Sequence, residues 1–319
     1  MNNNDISIIS QPIFLVGAER SGTTLLRLML SDHSQICWCP EFEYVVDKFG
    51  DDGIAPNLDQ YYEWLETHWI FQATDFIINQ SLDYNELVNS FLCQQLEREN
   101  KKIVGATVHR HFDRLPKIWP DARFIHLIRD GRDVARSCIG MGWSGNVWTG
   151  VERWLEAECL WNQLKNTITP DRYIEIIYED LITNPVEILT KICHFLGLEY
   201  DQSMLNYAQH TTYDLPDPKL INQWRKKMSE DEVQLVESRI GHLLKDRGYE
   251  LSGLPHREVT SSRQKQLRLQ DWLFRTQFRV KRFGLGLFLA DYVSRKLRIK
   301  PLQKSLQLKM NEITTRYIK

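Results

Sequence analysis

The sequence predicts an α/β fold, a parallel sheet flanked by helices and organised around a phosphate-binding loop. Three observations carry that prediction. Ile13-Phe14-Leu15-Val16 is a short apolar run closed by glycine, the pattern of a strand buried on both faces. Gly17-Ala18-Glu19-Arg20-Ser21-Gly22 follows as a small polar loop, and Thr23 opens a segment with Leu25, Leu28 and Met29 at helical spacing. Further apolar runs then alternate with amphipathic segments as far as Arg247, the succession expected of parallel strands joined by helices.

Strand, glycine loop and helix together aim backbone N–H groups and the positive end of a helix dipole at one spot. Such a spot suits phosphate or sulfate. Gly17 and Gly22 have the spacing of a nucleotide-triphosphate loop, but Thr23 stands where that pattern needs lysine. The cation lies inside the loop instead, as Arg20. A site without the lysine holds Mg-ATP poorly. It can still hold one anionic group between Arg20, the hydroxyls of Ser21, Thr23 and Thr24, and the backbone. The plainer alternative is a tight strand-to-helix turn with no ligand.

The remaining elements follow in order. His33 to Glu41 reads as a second strand running into a loop at Pro40. Leu58 to Asn100 carries two or three amphipathic helices rich in aromatic rings, and Lys102 to Val108 is a strand ending in His109-Arg110-His111. Arg123 to Ile128 is a buried strand, and a helix runs from Asp130 through Gly140. Ser137 lies eight residues after Arg129, so both can face one ligand. The structural alternative pairs Arg129 with Asp130, and Arg132 with Asp133, at the surface. Glu152 to Thr167 is a helix and Tyr173 to Ile177 a strand. Asn184-Pro185-Val186-Glu187 starts a helix that ends at Gly197, with Asn184 as its N-cap. Tyr207 to Asn222 is a polar, proline-containing loop, and Ser229 with Glu232 forms a capping box for the last core helix.

The run Pro12 to Leu30, centred on Arg20-Ser21-Gly22-Thr23-Thr24, resembles the 5′-phosphosulfate loop of sulfotransferases that use 3′-phosphoadenosine 5′-phosphosulfate (PAPS). Arg123 to Ser137, RFIHLIRDGRDVARS, resembles the second motif of that family. The likeness spans Pro12 to Arg247 and is nearest to the tyrosylprotein and bacterial types. It implies a P-loop-like sulfotransferase scaffold with PAPS as donor co-substrate, 3′,5′-phosphoadenosine phosphate as product, and no metal. It implies that Arg20, Ser21, Gly22, Thr23 and Thr24 hold the phosphosulfate. Arg129 and Ser137 then bind the 3′-phosphate, for which arginine is a bidentate donor, and Tyr178 of Tyr178-Glu179-Asp180-Leu181 lies against the adenine. Glu41 matches the general base of tyrosylprotein members, with Glu43 as its near neighbour. His109 matches the base of cytosolic members, with His111 behind it. One departure stands out: many members carry a lysine just after the third strand, and here Ala106-Thr107-Val108 occupies that place. Two other readings stay open, an NTP-dependent P-loop kinase and a non-catalytic nucleotide-binding scaffold.

A chain of 319 residues accommodates one large α/β domain, 1–255, with an appended 256–319. Net charge is −2, but residues 260–319 hold 15 Lys/Arg against 3 Asp/Glu, or +12, leaving −14 for the rest. The extension reads as basic amphipathic helix, to be packed on the core, on a second subunit as a homodimer, or on an anionic membrane. No recognised module points to nucleic acid. The cysteines are scattered, as in a reducing compartment. The N-terminus is too polar for a signal peptide, and no run approaches the ~18 apolar residues of a membrane span. A cytoplasmic location is the expectation. The acceptor, whether small molecule, carbohydrate, lipid or peptide, is left open by the sequence.

Overall fold

The computed structural model describes residues 9–318, so the polar N-terminal stretch 1–8 lies outside the described residues. Five strands form one parallel sheet: β1 (Ile13–Val16), β2 (Ile36–Cys39), β3 (Ile103–Val108), β4 (Arg123–Ile128) and β5 (Tyr173–Ile177). Their spatial order is β2-β3-β1-β4-β5. β1 is central, with Ile13 beside Gly105 of β3 and Arg123 of β4. From β1 the chain leaves toward β2, and from β3 it crosses back toward β4. Open α/β sheets bind ligands at the carboxyl ends of their strands beside such a reversal.

Alternation along β1 sends its side chains to two cores. Phe14 and Val16 join Phe42, Phe91, Phe124 and Trp161 on one face. Ile13 and Leu15 join Leu26, Met29, Leu127 and Leu189 on the other. That two-sided burial is why the strands read as unbroken apolar runs. Helix Thr23–Ser31 covers the second face through Leu25, Leu26, Met29 and Leu30. Capping boxes start helix Tyr84–Glu99, through Asp83 and Glu86, and helix Glu230–Asp246, through Ser229 and Glu232. Helix Pro185–Leu196 ends on Gly197 in the left-handed region as expected, but Asn184 makes no side-chain cap. The reason is local: Asn184 also closes helix Tyr178–Thr183, its N–H donating to the Asp180 carbonyl at 2.8 Å.

The ion pairs after β4 differ from nearest-neighbour pairing. Arg129 pairs with Asp133 at 3.7 Å, one helical turn on, and Arg132 with Asp130 at 2.7 Å. Arg132 is buried rather than superficial. It also meets Glu237 at 2.7 Å, and its guanidinium stacks 3.7 Å from the Trp224 ring centroid.

The basic extension folds as three helices, Ser261–Phe283, Leu285–Lys296 and Lys300–Ile318. Leu267 enters the core beside Val134, Trp154 and Leu244. Asp271 accepts from the Gly145 N–H at 2.7 Å and the Thr149 hydroxyl at 2.9 Å. The last helix returns to the aromatic helices, where Asn311 donates to the Thr67 carbonyl at 2.8 Å and Lys304 pairs with Glu66.

One buried charge cluster ties β4 to helix Glu152–Lys165. His126, fully buried, lies 3.3 Å from Glu158 and stacks on Trp161 at 4.3 Å between centroids. Burial alone pushes the His126 pKa down, but the charge of Glu158 and bonds to Glu158 and Glu175 outweigh it and raise the pKa. Burial likewise pushes Glu158 up, yet His126 and Arg247 hold it below the usual carboxylate range. A raised histidine stabilises below its unfolded pKa of about 6.5 and loses that contribution as pH rises through the folded value. A depressed carboxylate stabilises above about 4.5 and loses that contribution on acidification. Stability measured by urea unfolding should therefore peak between those limits. His126→Gln should cost about 3 kcal/mol near pH 6 and flatten the alkaline fall, because it leaves Glu158 short of a partner. An identical pH profile in the variant would contradict this assignment.

Candidate active site

The site lies along the carboxyl edge of the sheet, where strand order becomes residue order. From one side to the other come Glu41 and Glu43 after β2, His109 after β3, the loop 17–22 after β1, Arg129 after β4 and Tyr178 after β5. The loop stands in the middle.

Two glycines fix its path. Gly17 has φ +143°, and a Cβ there would lie 2.5 Å from the Leu127 carbonyl oxygen of β4. Gly22 has φ +96°, and a Cβ there would run into the Tyr178 ring. Only glycine allows both the backbone angle and the approach. Arg20 between them also has a positive φ, +73°. A non-glycine residue held there costs on the order of 1–3 kcal/mol and persists only where its surroundings impose it. Here Arg20 Nε donates to Ser137 Oγ at 3.0 Å, and Arg129 Nη1 donates to the Arg20 carbonyl at 3.1 Å. Arg20 thus links Arg129 and Ser137 into one group.

Arg129 is held from several sides. Its carbonyl accepts from Trp154 Nε1 at 2.8 Å, Asp133 lies at 3.7 Å, and its guanidinium sits 4.4 Å from the Tyr178 ring centroid. Ser21 Oγ and Arg129 Nε are both buried without a protein partner. Helix Thr23–Ser31 begins at Gly22 with no side-chain cap, so its first N–H groups stay unpaired by a capping oxygen. Arg129 and the uncapped helix start face a cleft of about 600 Å³ lined by Arg20, Gly22, Thr23, Thr24, Arg129 and Tyr178. Its far wall is the segment Thr212–Leu220. An anionic nucleotide fits this donor set: buried donors without acceptors are costly unless a ligand supplies them.

Glu41 and His109 line two other cavities. Glu41 faces a cavity of about 490 Å³ with Arg27, Trp38, Tyr44, Trp69 and Phe76. Burial pushes the Arg27 pKa down, opposed by Glu41 and by Tyr213 on the wall of the first cleft. His109 lines a more polar cavity of about 650 Å³ with Glu19, His111, Trp143 and Arg153, closed by Asp271 and Arg275 of the basic extension. His109 Nδ1 donates to the Gly17 carbonyl at 3.0 Å, so Nε2 is its accepting nitrogen. Glu43 does not share the Glu41 cavity. It is buried, accepts the His109 backbone N–H at 3.1 Å, and leaves its second oxygen without a partner; burial pushes its pKa up.

Some of these participants escape a reading by motif. Arg27 could have been found from helical spacing, four residues after Thr23 on the same face. The Thr212–Leu220 wall follows no local signal beyond its turn residues. Nothing in the extension marks Asp271 and Arg275 as cavity residues.

Comparison with known proteins identifies the family and the fold. The model of the Sulfotransferase family matches residues 12–202. A putative protein-tyrosine sulfotransferase of Caenorhabditis briggsae is 25% identical over 275 residues, covering 77% of this chain and 92% of that protein. The protein-tyrosine sulfotransferase of Drosophila melanogaster is 26% identical over 215 residues, covering 62% of this chain but only 40% of its own length. Among solved structures, the sulfotransferase domain of the curacin biosynthetic pathway has the same fold. Its TM-score is 0.57 at 18% identity, over 77% of this chain and all of that one. With the loop, the second motif and the sheet order all in place, the chain belongs to the sulfotransferase family.

Proposed function

We propose that this sulfotransferase takes its sulfuryl group from PAPS and delivers it in line to an acceptor hydroxyl, or less readily an amine. The observation that carries this reading is the order of groups along the sheet edge. Arg129, with its unpartnered Nε, and Tyr178 occupy the β4–β5 side, and the two candidate bases occupy the β2–β3 side. In-line transfer needs the incoming and leaving groups on opposite sides of the transferred group, and the loop 17–22 lies between the two sides. The donor, when bound, supplies an activated sulfuryl group and leaves as 3′,5′-phosphoadenosine phosphate.

The residues divide the work. Arg129, with Ser137 beside it, holds the 3′-phosphate, and Tyr178 offers its ring to the base. Ser21, Thr23, Thr24 and the N–H groups of the helix start hold the 5′-phosphate. Arg20 stabilises negative charge growing on the bridging oxygen. Glu41 takes the acceptor proton. Its cavity is lined with aromatic rings, which favours a phenolic acceptor, and the relatives named for protein tyrosine agree with that class. The hydrogen bond from His109 to the Gly17 carbonyl favours a second reading, in which His109 Nε2 is the base. We place the reaction in the cytoplasm; the scattered spacing of the cysteines in the sequence supports a reducing setting.

Transfer from radiolabelled donor to a panel of phenols, tyrosine peptides and sugars tests the assignment. Arg20→Ala should lower kcat at least about a hundredfold. Arg129→Ala should mainly raise the donor KM, by about tenfold or more. Glu41→Gln should lower kcat by about 10²–10⁴ and leave product-nucleotide affinity intact. The same loss in His109→Asn, with Glu41→Gln near wild type, would move the base to His109. Equal, minor effects of Arg20→Ala and Arg129→Ala would contradict the map.

A further inference from the structure

The basic extension carries a surface that the transfer reaction does not use. Its charge is unevenly turned. Of the three acids in 260–319, Asp271 is buried against Gly145 and Thr149, and Asp291 is 2% exposed and paired with Arg279 and Arg295. Between Asp291 and Glu312 no acid occurs, while Arg295, Lys296, Arg298, Lys300, Lys304 and Lys309 do. The outward charge of the extension is therefore almost wholly positive.

Apolar side chains are exposed among those cations. Trp272 is 61% exposed and Leu297 63%, and Leu273, Leu285, Leu289, Tyr292, Ile299 and Leu302 are also open. Every residue from Arg295 to Leu302, at the turn between the last two helices, is exposed. Basic and apolar residues alternate through it as Arg-Lys-Leu-Arg-Ile-Lys-Pro-Leu.

Two kinds of partner suit an apolar surface, and they ask for different patterns. A protein interface wants an apolar centre depleted in lysine, with charge at the rim. A lipid surface accepts lysine and arginine interleaved with leucine, because long side chains lay their stems along the apolar layer and lift their charges to the headgroups. The extension has the second pattern. No helix among the described residues is long and apolar enough to cross a membrane.

We infer that residues 272–302 dock this sulfotransferase on an anionic lipid surface, lying in the headgroup layer. Basic residues supply the attraction, which salt screens, and Trp272, Leu297 and Ile299 supply the apolar insertion.

Co-sedimentation of the full chain with phosphatidylcholine vesicles, with and without phosphatidylglycerol, tests this at low and high salt. Binding is expected only to the anionic vesicles and should fall as salt rises. Lys296→Glu with Lys300→Glu should cut partitioning at least about tenfold. Leu297→Ser with Ile299→Ser should weaken it as well, with circular dichroism and product-nucleotide affinity unchanged in both. Protein that stays in the supernatant with anionic vesicles overturns the inference, as does equal binding of wild type and both variants. A concentration-dependent dimer in ultracentrifugation, abolished by Leu297→Ser with Ile299→Ser, would also overturn it and assign the surface to a second copy. Nucleotide affinity is read separately, so this result stands apart from the donor assignment.

Discussion

The close approach of the loop 17–22 to its neighbours is the constraint on which the rest depends. At Gly17 the backbone runs against the Leu127 carbonyl, and at Gly22 it runs under the Tyr178 ring. These contacts come from β4 and from the end of β5, so the sheet itself sets the loop. Arg20 is forced into a left-handed conformation and tied to Ser137 and Arg129. Arg129 Nε, left without a partner, and the uncapped helix start then belong to one cleft before any ligand arrives. Preorganisation of this kind is how a site stabilises charge without rearranging at the moment of reaction.

The same edge separates two chemistries. Positive and aromatic groups cluster after β4 and β5, and carboxylates and histidines after β2 and β3. Glu43 ties the end of β2 to the end of β3: it is buried, bound to the His109 N–H, and keeps one oxygen unpaired. The extension adds a further layer, since Asp271 anchors it to the loop after helix Gly131–Gly140 while Asp271 and Arg275 close the His109 cavity. One segment thus serves core packing and cavity shape together.

Much of this was legible in the sequence where the signal is local. Apolar runs fixed the strands because parallel strands are buried on both faces, and the capping box of Ser229 and Glu232 needed only its own turn. Glycine spacing exposed the loop because no other residue fits those angles. What failed were choices between equal local options. Arg129 and Arg132 each had two aspartates in reach, and only burial beneath Trp224 and Glu237 decided which one Arg132 took. The separation of Glu41 from His109 into different cavities arises from tertiary packing of the aromatic helices and the extension, and no motif encodes it. The breaks that divide the extension into three helices depend partly on Gly284 and partly on Arg298, which adopts a positive φ of 54°.

The central claim is that this edge binds a 3′-phosphorylated adenine nucleotide and not a nucleoside triphosphate with metal. Calorimetry with 3′,5′-phosphoadenosine phosphate in metal-free buffer, set against ATP with Mg²⁺, tests it most directly. The account predicts tight binding of the former, lost in large part in Arg129→Ala, and weak or no binding of Mg-ATP. Preference for Mg-ATP would contradict it, because Thr23 would then be doing what the family of phosphate loops assigns to lysine.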